Sequence, residues 1–215
     1  MPDIPKEHSR RQFMFFRLWL VASLILVLTG CANQTPVLYP SASAKPSIPE
    51  MPSALRVLLT PVDTTGIASP AKSRYGLDVS AYFTAFELQL LNQSNQPVDF
   101  ESEEIYLIHA DGKRQQALTE EESIDYYRYG DLGPDGAVVL ISKPLSTMRS
   151  EIEQIRRLRI RSAKLLPGES DRGMVLFKKV GSDQCNNVHV KLQGITFTEA
   201  ARSKDVDVAF TCENQ

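Results

Sequence analysis

"AYFTAFELQLLN", residues 81 to 92, decides the fold class. Phe86, Leu88 and Leu90 alternate with Glu87 and Gln89. A period of two marks a β-strand, because successive side chains leave opposite faces of the pleat. The segment predicts a strand with the apolar residues inward and Glu87 and Gln89 outward. The polar "NQSNQP" behind it reads as a turn.

The same rhythm recurs on both sides. "LRVLLTPVD" (55–63) opens as a strand, and "EIYLIHA" (104–110) is another. Asp111-Gly112 then signals a hairpin, with "KRQQALT" returning. "RGMVLFKKV" (172–180) is a further strand. "NVHVKLQGITF" (187–197) turns Val188, Val190 and Leu192 inward and His189, Lys191 and Gln193 outward. "DVDVAFTC" (205–212) turns Val206, Val208, Phe210 and Cys212 inward, and the last two strands predict a hairpin. "GDLGPDG" (130–136) is a turn cluster, and "AVVLI" (137–141) fits a strand or a buried helix.

"STMRSEIEQIRRLRIRSAKLLPGES" (146–170) breaks the rhythm. Ser150 and Glu153 fit a capping box, and Ile152 and Ile155 share a helical face. A helix is predicted near 147–157. From Arg157 to Arg161 charge and apolar residues alternate, so 157–163 stays open between helix and strand. About seven short strands with frequent turns predict a mainly β protein over 55–215. The expected form is an immunoglobulin-like sandwich with one helical insertion.

Three segments, "FELQLLNQSNQPVDF", "IYLIHADGK" and "LLPGESDRGMVLF", resemble a broad group of bacterial Ig-like envelope lipoproteins and exported domains. The shared features are a strand ending in Asn, an Asp-Gly hairpin, and a Pro-Gly-Glu turn before a Gly-x-x-x-Phe strand. They imply a fold and no activity.

The N-terminus speaks to location. Lys6, Arg10, Arg11 and Arg17 precede "LWLVASLILVL" (18–28), an apolar run too short to cross a bilayer comfortably. A basic region followed by a short apolar one describes a signal peptide over 1–30. Leu28-Thr29-Gly30-Cys31 resembles the lipobox of bacterial lipoproteins. The resemblance implies cleavage before Cys31 and acylation of its sulfur. The alternative is an uncleaved anchor with Cys31 an ordinary apolar residue. Two or three acyl chains make membrane release negligible. Ala32 after the Cys resembles the outer-membrane-sorted class, facing the periplasm. With Cys31 acylated, Cys185 and Cys212 remain as a pair at the open end of the last hairpin. An oxidising periplasm favours a disulfide there. Residues 31–54 carry Pro36, Pro40, Pro46, Pro49 and Pro52 among serines, and predict an extended tether, with packing of part of it along the domain as the alternative.

Charge excludes one class. The chain has net charge −2 from 24 Lys+Arg and 26 Asp+Glu, and the basic leader leaves the remainder more acidic still. Nucleic-acid binding is not expected. His109 and His189 lack HxH, HExxH or CxxC company, and no nucleophile elbow or phosphate loop appears. No cofactor or metal is expected. Glu103, Glu104, Glu120, Glu121 and Glu122 read as a solvated surface. The anion- or partner-binding candidates are Arg156, Arg157, Arg159, Arg161 and Lys164, because the guanidinium fork suits phosphate and carboxylate. The competing reading is a salt-bridged face. Tyr126, Tyr127 and Tyr129 suit a binding surface or packing over a sandwich end.

Two classes of function follow. One is a non-enzymatic binding or scaffold module meeting another envelope protein or the cell wall, with a docking lipoprotein of a secretion or pilus assembly as a special case. The other is an enzyme or small-ligand binder using His109, His189 or the acidic loops. A concave pocket at either histidine favours the second class.

Overall fold

The computed structural model describes residues 38–40, 55–62, 74–132, 143–181, 184–197 and 202–212. All fall in one compact unit, Thr35–Gln215. "AVVLI" and most of "GDLGPDG" lie outside the described residues.

The strands are β1 (Leu38–Pro40), β2 (Leu55–Pro61), β3 (Phe83–Asn92), β4 (Val98–Phe100), β5 (Ile105–Ile108), β6 (Arg114–Gln116), β7 (Ala163–Leu165), β8 (Ser170–Lys178), β9 (Val188–Phe197) and β10 (Arg202–Cys212). The helices are α1 (Val79–Tyr82), α2 (Glu120–Tyr129) and α3 (Leu145–Leu158). The larger sheet runs β1-β10-β9, and β9 then pairs β4-β7 at one end and β5-β6 at the other. The smaller sheet is β2-β3-β8. The named strand pairs are antiparallel. The protein is the mainly β sandwich with a helical insertion that the alternation predicts.

Phe86, Leu88 and Leu90 of β3 share one apolar cluster with Val188, Val190, Leu192 and Phe210 of the facing sheet. The Phe86 and Phe210 rings lie 4.8 Å apart. This is the inward face read from the sequence.

The other face differs from expectation. The insertion holds two helices, α2 and α3, between β6 and β7. They form a second core over β3 and β8, joining Phe83, Ala85, Met174 and Leu176 to Ile124, Tyr127, Ile152 and Ile155. Glu87, expected outward, is only 7% exposed. Its Oε2 accepts from the Tyr75 hydroxyl at 2.5 Å, and its Oε1 from Gln89 at 2.6 Å and from Arg172 at 2.6 Å. A carboxylate this buried needs such partners.

The helix starts also differ. α2 is opened by a capping box in which the Thr119 side chain accepts from Glu122 N and Glu122 accepts from Thr119 N. Glu120, Glu121 and Glu122 fill its first turn, where the dipole favours negative charge. The run read as plain acidic surface is thus a helix start. α3 begins behind Pro144, so Ser150 sits inside it and caps nothing. Pro144 is its N-cap and makes no side-chain cap hydrogen bond. α3 stops at Leu158, and Arg159 turns extended to bridge Met174 of β8. Residues 157–163 are therefore helix end, bridge and strand start in turn. Gly173 makes room for this, since a Cβ there would lie 2.5 Å from Ile160 N.

Two of the three features that carry the envelope-lipoprotein resemblance meet at one corner. Asn92 is fully buried. Its Nδ2 donates to Gln96 O and Leu165 O, both at 2.9 Å, and its Oδ1 accepts from Ser94 N and Ser94 Oγ. Gly168 N donates to Asn92 O, and Asn92 N donates to Glu169 O. The Asn strand end and the Pro-Gly-Glu turn lock one another, which is architecture and not chemistry.

Candidate functional site

The opposite end of the larger sheet carries the cavity. β5 ends at Ile108, opposite His189 of β9. Beyond it the chain turns through Asp111-Gly112, with Gly112 at φ 82, as the dipeptide predicts. His109 N donates to Lys113 O and Gly112 N to His109 O, closing the turn. β9 starts just after Cys185, which is fully buried and disulfide-bonded. The stretch before β9 and the hairpin tip enclose a cavity of about 490 Å³ lined by His109, Asp111, Lys113, Arg114, Gln184 and Asn186. That volume suits a small ligand.

The charged side chains of the lining are two cations, Lys113 and Arg114, against one carboxylate, Asp111. Lys113 Nζ pairs with Asp111 at 2.8 Å. The hydrogen bond between them holds the Asp111 carboxyl below its ordinary range and the Lys113 ammonium above its own. The Arg114 guanidinium stacks on Tyr106 at 4.2 Å and donates to Gln193 at 2.7 Å. His109 Nδ1 is buried and has no hydrogen-bond partner among the described residues. Such unpaired buried atoms are few in folded proteins, and Gln115 Nε2 and Gln154 Oε1 are others among the described residues.

His189 stands apart. It faces outward, as read, with Nδ1 2.9 Å from Asp207. His189 lies on β9 and His109 just past the end of the adjacent β5, and they do not share the cavity.

The arginine cluster is dispersed by its partners. Arg156 pairs with Glu120 and Glu153. Arg159 is half-buried and donates to Leu118 O at 2.6 Å, and desolvation holds its pKa below the ordinary value. Arg157, Arg161 and Lys164 stay exposed. The tyrosines expected beside a turn lie on α2 and pack inward. Tyr127 is 5% exposed, and the Tyr126 ring lies 5.8 Å from Phe83. Tyr129 is half-buried. Tyr127 donates to Glu151, which also binds Lys143 at 2.8 Å, while the Lys143 ammonium lies 4.8 Å from the Tyr82 ring. Burial first, then the Glu151 bond, pushes the Tyr127 phenol up. Burial pulls Lys143 down, but its bonds to Glu151 and Tyr82 outweigh it and hold the ammonium above its usual value.

Gln184 and Asn186 escaped sequence reasoning. Their nearness to Cys185 was the available signal. Among the described residues no group of three His, Cys, Asp or Glu could hold a metal, and no helix is long and apolar enough to cross a membrane.

No family model matches the chain, and no curated protein matches it. Among solved structures it is similar to a functionally unknown protein from Listeria monocytogenes EGD-e, at 13% identity and a TM-score of 0.35, covering 82% of this chain and 88% of that one. That likeness carries no argument.

Proposed function

We propose that this protein is an envelope lipoprotein anchored through Cys31 in the outer membrane, facing the periplasm. Its sandwich acts as a small-ligand binding module with the His109 cavity as its ligand site, the class that a pocket at either histidine favours. Cys185 and Cys212 form its disulfide. The cavity beside His109, with Lys113 and Arg114 in its lining, carries the binding part of the reading. Its lining supplies donors and charge, and among the described lining residues there is no Ser, Thr or Cys nucleophile for covalent catalysis. The anchor rests on the resemblance at residues 28–31. The disulfide is supported by the register, since Phe210 opposite Val188 brings both cysteines to one end of the β9–β10 hairpin.

Labelled palmitate tests the anchor: the wild-type chain incorporates it, whereas Cys31→Ser stays uncleaved and unlabelled. Normal maturation of that variant overturns the anchor. Photocrosslinking in intact cells tests the module. A crosslinker at position 110 gives discrete adducts and one at position 203, at the far end of β10, does not. Absence of adducts from position 110 overturns the binding role.

A further inference from the structure

Part of the Pro/Ser-rich segment packs along the domain, the alternative left open by the sequence. β1 pairs with β10, Leu38 opposite Cys212 and Pro40 opposite Phe210, and Leu38 is 8% exposed in the main core. The hydrogen-bonded order β1-β10-β9-β5-β6 then fixes where the chain enters. It enters at the end where β9 begins and the β5–β6 hairpin turns, which is the cavity end. Four strand spacings put β6 about 19 Å from β1.

About seven residues separate Cys31 from Leu38. Fully extended they reach roughly 25 Å. A free linker over 31–54 would reach roughly 70 Å and allow any orientation. The shorter leash is less than the length of β9, about 33 Å for its 10 residues. With Cys31 in the bilayer, the cavity end is the end held at the membrane.

The cavity chemistry matches that surface. Lys113 and Arg114 offer charged donors, and Gln184 and Asn186 bring amides to the wall. His109 lines the same cavity. Asp111 offsets one positive charge, but its pair with Lys113 is exposed and screened by water. We propose that this cavity takes the phosphate headgroup of an anionic lipid in the membrane that holds Cys31. The proposal rests on the anchored reading above.

The test uses the mature lipidated chain in vesicles of phosphatidylethanolamine and phosphatidylglycerol, with a photoreactive group on part of the phosphatidylglycerol heads. The expected result is crosslinks within residues 109–114 and 184–186. They should fall about tenfold or more in Lys113→Ala/Arg114→Ala, the effect of removing two cations beside an anionic surface. Both substitutions are at exposed sites, and an unchanged melting curve shows the double variant folded. Crosslinks at 202–204, or crosslinks unchanged in the double variant, overturn the proposal. Protection of the tip by soluble glycerol phosphate without lipid crosslinks assigns the site to a free phosphate and also overturns it. Mass spectrometry of the same preparation separates the two readings. A chain without acyl groups refutes the anchor and this proposal together, whereas an acylated chain crosslinked elsewhere refutes this proposal alone.

Discussion

The two ends of the larger sheet are built on opposite principles. At the Phe197 end, Asn92 spends every donor and acceptor of its side chain on neighbours, and the Gly168 turn closes over it. At the Val188 end, a histidine nitrogen is buried without a partner beside a cavity. Natural proteins leave few buried polar atoms unpaired, so a sealed corner reads as stability and an unsealed one as a place for something else. Breaking the sealed end should unfold the protein. Altering the open end should leave it folded.

The largest effect belongs to Asn92→Ala. It strands the buried Leu165 carbonyl and empties the corner, and it should cost about 2–4 kcal/mol in urea unfolding. A loss within error would show that the corner is not closed by Asn92. Gly173→Ala is next, at about 1–3 kcal/mol, because the new methyl meets the Ile160 backbone and not a pliable side chain. A Gly173→Ala protein as stable as the wild type would mean the 159–160 segment does not pack there.

The helix-covered face of β3 gives a pH signature. Burial, then the bond to Glu87, pushes the Tyr75 phenol from 10 up to about 12. The folded state therefore favours the protonated phenol. That stabilisation is complete below pH 10 and is lost as pH rises through about 12. Urea midpoints measured from pH 9 upward should fall, and Tyr75→Phe should reduce the fall. Tyr127, raised in the same way, keeps it from vanishing. An identical slope in Tyr75→Phe would remove Tyr75 as a cause. The smallest effect is His109→Phe. Removing an unpaired nitrogen should shift stability by about 0.5 kcal/mol or less while abolishing headgroup crosslinking. A cost as large as that at Asn92 would erase the contrast between the ends.

The sandwich was legible because alternation records burial, and the Phe86–Leu88–Leu90 face packs as read. The second face was not. Alternation places Glu87 with Phe83 and Ala85 but says nothing of what covers them, and the cover is a pair of helices that close the second core. The α2 start was written as Thr119-x-x-Glu122, yet three consecutive glutamates read more simply as surface. At Ser150 the same pattern occurred inside a helix, where it caps nothing. Two of the five candidate cations, Arg156 and Arg159, are engaged because Glu120 and the Leu118 carbonyl come to them from elsewhere in the chain. The cavity needed the β9 register, which brings His109 to the residues beside Cys185. β1 looked like linker because three residues are too few to show a period.

The contrast is tested most directly by nitrogen-resolved NMR of both ends in one sample. Glycerol phosphate, the headgroup chemistry without the membrane, is titrated into the folded protein. The account predicts a saturable shift of the His109 imidazole nitrogens with the Asn92 side-chain amide unmoved. A silent His109, or equal shifts at both ends, would contradict it.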